Sequence, residues 1–484
     1  MDEKLSPSAL NIQPFEGWPV YPAGFVDETF VDGESYNERL KQLSSKLFCK
    51  DPDDLNVEIV DVYGTGEHEQ KVFNEVFVSA LALDDHLVQK EIPTTRIISI
   101  TQKNTQFPLD ITEEMMRKIL TFHRVSPDFL EYLFCYREKA LPSDEGQGNA
   151  TITTSSSGAY GYLLRYPEQN GRDYSQKWSI RRTGVYHHFD PNTKSSVFIF
   201  LHPVRGARTQ ARIKELCSSP KSLKSTQAHP LRLHLLLLSS YIDNWRWYLR
   251  DYGYELMGKE ERALTIDIQD PDDYTLSFEA LLSLRHFEAE VTPIASMLTA
   301  TLPTLHSLES LNETLLSVRA VNKGDYTQVC GRLTIHVSRV KGYIISVAGL
   351  QRRTRSAIKL LADALDLKNQ GTSAKINERI LALTKETVDD SATVRVVTLV
   401  TLIYLPASFI ATVLGMNLFS FGQPLPDGKG PHFTVSKQFW IYIALSIPLT
   451  AFTVGYWLLV SHWQKVKRTK RRDVAQELVV RNSS

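Results

Sequence analysis

Four cysteines in 484 residues are few, and Cys49, Cys135, Cys217 and Cys330 stand apart from one another. With no CxxC and no tight Cys/His cluster, the spacing excludes a disulfide framework and a structural zinc site. It points to a reducing compartment around most of the chain. Net charge is missing too: 55 basic residues balance 55 acidic ones. No overall field favours nucleic acid, and no nucleic-acid partner is expected. The opening MDEKLSPSALNIQPF lacks a basic n-region and an apolar core. It is expected to be neither a secretory signal nor an Arg-rich transit peptide. No repeat of ~20–50 residues is evident. Gly64-Thr65-Gly66 lacks the lysine and the spacing of a phosphate-binding loop. No Ser/His/Asp order and no carboxylate pair supports an enzyme, and no cofactor is expected.

What is present divides along the chain. Residues 1–35, rich in Pro, Gly and acid, read as an irregular leader, and residues 36–230 as a cytosolic α/β domain. In it, Ser35–Phe48 reads as a helix, Val57–Tyr63 and Thr94–Thr101 as strands, and Ile111–Phe122 and Pro127–Tyr136 as helical. Leu141–Ser157 is rich in Gly, Ser and Thr and reads as an exposed loop. Ala159–Tyr166, Trp178–Phe189 and Ser196–His202 are aromatic and β-branched. Asp190-Pro191-Asn192 supplies turn chemistry that makes the last two a hairpin. His187-His188 lies in one of these strands, as a paired metal site or, more ordinarily, as structural or surface histidines.

Residues 231–373 read as a region of long helices. Leu231–Tyr254 is apolar but carries Arg232, His234, Asp243, Arg246 and Arg250. It is too charged to span a bilayer and is expected to pack on the α/β layer, with Tyr241, Trp245, Trp247 and Tyr248 as packing groups. Asp270–Asp273 suits a helix N-cap. Leu276–Ala320 and Tyr326–Leu367 keep apolar residues at 3–4 spacing, with Pro293 and Pro303 as kinks or breaks in the first. Asn369–Ser373 reads as a short break. A stalk helix, 374–393, then runs into residues 394–415.

The first span carries no charge from Val396 to Leu414, about 28 Å of helix. It is not uniformly apolar. Ser391, Val394, Thr398, Thr401, Leu405, Ser408 and Thr412 follow a 3–4 ladder that puts them on one seam. Ala407, Ala411 and Gly415 form a small-residue edge suited to close helix contact. A pore-lining helix fits this pattern, and so does a plain anchor whose hydroxyls bond their own carbonyls. Pro406 predicts a modest kink. Residues 416–438 read as an extracytosolic Gly/Pro-rich loop. A second span, 439–460, has Trp440, Tyr442, Tyr456, Trp457 and Trp463 near its ends as interface anchors. In the tail, 461–484, Lys465, Lys467, Arg468, Lys470, Arg471 and Arg472 place the C-terminus, and through two spans the N-terminal part, on the cytoplasmic side. Sequons at Asn149, Asn312 and Asn482 would then stay unmodified. Plasma membrane is the default location.

YLPASFIATVLGMN, followed about twenty residues later by a second span and a basic tail, resembles the CorA superfamily of divalent-cation transporters. The residues that carry the likeness are Tyr404, Leu405-Pro406, Ala407-Ser408-Phe409-Ile410-Ala411 and Gly415-Met416-Asn417. LTFHRVSPDFLEYLF, WSIRRTGVYHHF and LLLLSSYIDNWRWYL resemble divergent CorA-like proteins of filamentous fungi. The resemblance implies a membrane α+β protein: a cytosolic α/β domain, long stalk helices and two C-terminal transmembrane helices in a homopentameric funnel. It implies passive uptake of Mg²⁺, with Mg²⁺ as cargo and as candidate regulator, and the chain itself, the bilayer and divalent cations as partners. Asn417 would hold hydrated Mg²⁺ through outer-shell contacts at the outer mouth, with Gly415 releasing the chain from the helix and Met416 packing beneath. Leu405 and Val394 would close by dewetting. Glu386, Asp389 and Asp390 either draw cations to the inner mouth or pair with Lys385, Arg379 and Arg395. The family's acidic outer loop is thin here, with Asp427 beside Lys429 and Lys437.

Overall fold

A strand buried on both faces is apolar except where a polar side chain finds a partner, and Val57–Tyr63 is such a strand, buried throughout except at Tyr63, with Glu58 and Asp61 among its buried residues. The computed structural model describes residues 15–24, 32–64, 71–89, 91–137, 152–154, 158–171, 177–219, 223, 227–265, 271–413, 419–421, 433–435 and 439–482. Two compact units divide at Leu365/Asp366. In the first, seven strands among the described residues form one sheet. They are β1 (Val57–Tyr63), β2 (Lys71–Phe77), β3 (Thr95–Ile100), β4 (Ile152–Thr154), β5 (Ala159–Gln169), β6 (Trp178–Asp190) and β7 (Ser195–Leu201), in the order β2-β1-β3-β7-β6-β5-β4. β3 and β7 run parallel, with Ile97 opposite Phe198. The expected hairpin is there, with Asp190 opposite Ser195.

The period of two sorts the strand residues onto two cores. Ile59, Ile98, Tyr186 and Ile199 pack with Leu40 of α1 (Gly33–Leu47) and with Met115, Met116 and Ile119 of α3 (Glu113–Phe122). α2 (Ala80–Leu87) and the short α4 (Leu130–Leu133) complete that side. Caps fix the entries: Asp32 Oδ1 accepts from the Ser35 amide at 3.1 Å, and Thr112 Oγ1 from the Met115 amide at 3.2 Å.

On the other face Val60, Ile97, Tyr162, Tyr166, Val185 and Phe198 share a core with five further helices. α5 (Arg208–Ser218) lies beside α6 (Arg232–Tyr241), and α7 (Asn244–Thr265) follows. Tyr241 stacks on Tyr166 with ring centroids 3.7 Å apart, and Trp245 is buried beside them. The charged helical segment therefore does pack on the sheet. The core continues along α8 (Pro271–Ser317) and α9 (Lys323–Val413) through Phe287, Val291, Ile294, Leu298, Leu305, Val329, Leu333, Val340, Val347 and Ile358. These residues keep 3–4 spacing.

Neither proline breaks α8: it is one helix through Pro293 and Pro303, and apolar burial at Val291, Ile294, Leu298 and Leu305 holds it through two lost amide donors. One expectation needs correction. There is no break at Asn369–Ser373, because α9 continues through it. One glycine there costs about 1 kcal/mol relative to alanine, less than ending a helix and nucleating another. The strand β4 falls within the stretch read as a loop, most of which lies outside the described residues.

Many buried polar groups are paired, although both ring nitrogens of His202 and Nε2 of His123 are buried without a hydrogen-bond partner. Asp61 on β1 takes both nitrogens of Arg96 on β3, at 2.8 and 2.7 Å, and His86 Nε2 at 2.9 Å. Between the sheet and α6 runs a chain of histidines. His187 Nδ1 meets His234 Nε2 at 3.0 Å, and His234 Nδ1 meets the Tyr162 hydroxyl at 2.9 Å. His187 also stacks on Phe198, 3.9 Å between centroids. His229 Nε2 lies 2.9 Å from Asn312 Oδ1. The Asn312 sequon is 1% exposed and so closed to a glycan.

Two predictions arise from this unit. Replacing Arg96 by leucine strands the Asp61 carboxylate and costs about 3–5 kcal/mol, whereas Asp61→Leu/Arg96→Leu together cost less than that single change. Denaturant melts of the full chain in detergent read the difference; a double variant weaker than the single one would contradict it. The second concerns pH. Burial, and then the charge of His229, lowers His234 to about 3. Burial lowers His202 to about 3, and His229 to about 4 against an opposing hydrogen bond to Asn312. An unfolded histidine titrates near ~6.5. The unfolded chain thus binds more protons between about pH 6.5 and 3, so stability is full above that window and is lost as pH falls through it. The melting temperature should drop from pH 7.5 to pH 5, and less steeply in His234→Asn; equal slopes in the two proteins would refute the assignment.

Candidate ion pathway along the long helix

Among the described residues, two helices are long and apolar enough to cross a membrane. In α9 the stretch is Val394–Val413, 20 residues at mean hydropathy 2.1. In α10 (Phe439–Asn482) it is Phe439–Trp463, 25 residues at 1.8. α9 continues through Pro406, which with Ile410 is buried, while Leu402 is half-buried. At 100° per residue those three positions share one face. The seam of Val394, Thr398, Thr401, Leu405, Ser408 and Thr412 is centred about 125° round the helix from it. Val394 is 63% and Leu405 67% exposed on that seam, while Thr398 and Ser408 are half-buried, and Val396, Val400, Tyr404 and Phe409 off the seam are exposed as well.

The seam hydroxyls do not project idle donors. Thr398 Oγ1 donates to the Val394 carbonyl at 2.6 Å and Thr401 Oγ1 to Val397 at 2.6 Å. Ser408 Oγ donates to Leu405 at 3.1 Å and Thr412 Oγ1 to Ser408 at 2.8 Å. Below them Thr384 Oγ1 donates to Ile380 at 2.6 Å. Each proton is bonded inside its own helix, which leaves the oxygen as an acceptor toward whatever lies outside.

Gly415, Met416 and Asn417 lie outside the described residues. Ser391, Glu386, Asp389 and Asp390 belong to α9 by their backbone, and their side chains are outside the description. Just beyond the motif, β8 (Phe419–Phe421) pairs antiparallel with β9 (Phe433–Val435), Phe419 opposite Val435. Reading 416–438 as a plain Gly/Pro-rich loop missed this ladder. Its signal was two aromatic, β-forming triplets, FSF and FTV.

The other candidates resolve into structure. His187 is buried in the histidine chain, and no group of three or more metal-ligating side chains occurs among the described residues. Tyr241, Trp245 and Tyr248 are core residues, whereas Trp247 is 44% exposed.

A family model described as CorA-like transporters matches residues 14–148 and 154–264, just over half of the chain. No curated protein matches it. Among solved structures the chain is similar to the soluble domain of CorA from Methanocaldococcus jannaschii, at 13% identity and a TM-score of 0.33, over 64% of this chain and 95% of that one. It is similar to the full-length CmaX protein, at 14% identity and a TM-score of 0.36, over 84% and 97%. A third is the cytoplasmic domain of ZntB from Vibrio parahaemolyticus, at 14% identity and a TM-score of 0.30, over 62% and 97%. The family match covers the sheet and its helices through α7, where the three fungal-like pieces lie, and stops well before the Gly-Met-Asn segment. With residues 14–148 and 154–264 matched and two apolar helices further along, the chain is an integral membrane protein and belongs to the family of CorA-like transporters.

Proposed function

We propose that the chain is a divalent-cation channel, Mg²⁺ foremost, assembled from several copies, five by the family pattern. Two spans per chain do not enclose a water-filled path, so each copy contributes one helix to the wall. The observation that carries this reading is the hydroxyl seam of α9, which lies off the face of the buried Pro406 and Ile410 and keeps its oxygens free as acceptors. The second span is bulky and aromatic and suits lipid. Mg²⁺ dehydrates reluctantly, so a mouth built from Asn417 amide oxygens would bind the hydrated ion and release it again. Thr412, Ser408, Thr401, Thr398 and Ser391 would form polar rungs, and Leu405 and Val394 dry constrictions. Glu386, Asp389 and Asp390 would draw cations at the inner mouth. The location is the plasma membrane, with both termini cytoplasmic.

A non-conducting, two-span regulatory or scaffold protein with the same fold is the alternative. The back-bonded seam hydroxyls favour it, since a plain anchor satisfies them in the same way.

Flux through proteoliposomes separates the two readings. Wild type should pass Mg²⁺ above empty vesicles, and Asn417→Ala should lose that flux at least tenfold (about 1.4 kcal/mol) while native mass spectrometry still finds the oligomer. Flux no greater than that of empty vesicles for Mg²⁺, Co²⁺, Ni²⁺ and Zn²⁺ would select the non-conducting reading. In the conducting case Leu405→Ser wets the constriction and raises resting flux several-fold. An unchanged resting flux would remove Leu405 from that role.

A further inference from the structure

Helices α7 and α9 are tied together at two levels. Arg339 Nη1 reaches both oxygens of Asp243, at 2.6 and 2.8 Å, just before α7 begins. Four turns along, Arg353 takes both oxygens of Glu260, with Nε 3.2 Å from Oε1. Between these clamps the helices leave a groove of about 370 Å³. Leu249 and Leu350 supply its apolar lining, Arg246, Arg250 and Arg353 its charge, and Tyr343 a hydroxyl. Gly349 keeps the groove open: a Cβ built there meets nothing within 4 Å.

The cations here are short of partners. Arg353 is committed to Glu260. Arg250 touches Asp251 only at 3.2 and 3.4 Å, and that carboxylate already accepts from Lys177 and the Trp178 indole, both at 2.8 Å. Arg246 has no hydrogen-bond or ion-pair partner among the described residues. The two guanidiniums lie one turn apart, where like charges repel. Both rest on the exposed Trp247 ring, their carbons 5.2 and 4.7 Å from its centroid. The indole holds two planar donor forks beside an open cavity.

We infer that this groove binds a soluble, phosphate-bearing small molecule. Arg246 and Arg250 grip the phosphate in the bidentate geometry that guanidinium favours. Tyr343 donates a further hydrogen bond, and the leucines receive the ester group. The volume exceeds the needs of a bare phosphate and lies in the range of small-ligand sites. All the lining residues belong to the unit that ends at Leu365, so the site does not depend on whether the spans conduct.

Calorimetry on the full chain in neutral-lipid nanodiscs, with chelator and low salt, tests this with pyrophosphate as the probe. Wild type should bind saturably. Arg246→Ala/Arg250→Ala should weaken binding at least tenfold (about 1.4 kcal/mol), and Gly349→Leu should block it while the ligand-free melting temperature stays the same. If the double alanine variant fails to fold, Arg246→Gln alone should weaken binding several-fold. Absence of saturable binding in wild type, or equal binding in folded variants, would overturn the assignment. Binding seen only to nanodiscs carrying phosphoinositide, and not to pyrophosphate, would overturn it in favour of a lipid headgroup.

Discussion

A backbone carbonyl in hydrocarbon must find its hydrogen bond within its own segment, and that constraint governs what the span in α9 offers. The helix satisfies its own backbone, and its Thr and Ser protons turn inward to carbonyls one turn back. What faces outward from those positions is oxygen with lone pairs free. For a hydrated dication this is the useful polarity, because the waters around the ion present hydrogens. The bonding that would also suit an inert anchor thus prepares, in the proposed channel, a column of acceptors. Leu405 and Val394 interrupt the column with surfaces that water leaves readily.

The unit that ends at Leu365 meets the same accounting. A sheet covered on both faces gives its polar side chains no water, so each needs a protein partner. Glu58 has Gln210 at 2.6 Å and Lys214 at 2.8 Å, and Asp110 has Thr101 at 2.8 Å and Arg205 at 2.7 Å. Tyr136 donates to the Leu201 carbonyl at 2.7 Å and accepts from the Gly184 amide at 2.7 Å, which pins the junction of β6 and β7. These contacts join residues tens of positions apart, and they specify how the layers meet more than they add net stability.

That distance in sequence separates what could be read from the chain and what could not. Strands of β-branched and aromatic residues, the Asp-Pro-Asn turn and the two apolar spans carry their signals locally, and they appear where expected. β2 was not read, because an edge strand needs only one buried face and Lys71, Asn74 and Glu75 break its pattern. α2 and α5 were passed over as well; α5 is largely polar, and its place is set by Ile213 and by contacts to α6. His187 was visible as a residue, but its partner His234 lies 47 positions away, so the choice between ligand and core stayed open until both were placed. Asn369–Ser373 looked like a break because its composition is that of turns, while helix cooperativity across it is not a property of five residues. Of the candidate site, the seam was legible from its spacing. Which face of α9 is buried was not, because that depends on what covers Pro406 and Ile410.

The pairing of acids in the unit that ends at Leu365 bears on where a divalent cation could bind. Asp61, Asp84, Asp110, Glu58, Asp243, Glu260, Glu288 and Asp325 each hold an arginine or a lysine. A dication arriving at any of them must displace a cation that is already bonded, and at Asp61 it must also enter a site closed to water. At a buried pair such as Asp61–Arg96, removing one partner leaves the other charge stranded, a cost of several kcal/mol that a well-hydrated Mg²⁺ does not offset. In the proposed channel, a regulating cation would therefore meet less competition at carboxylates outside such pairs. Glu386, Asp389 and Asp390, set in α9 a turn or two before the apolar stretch, stand closest to the ion's proposed path.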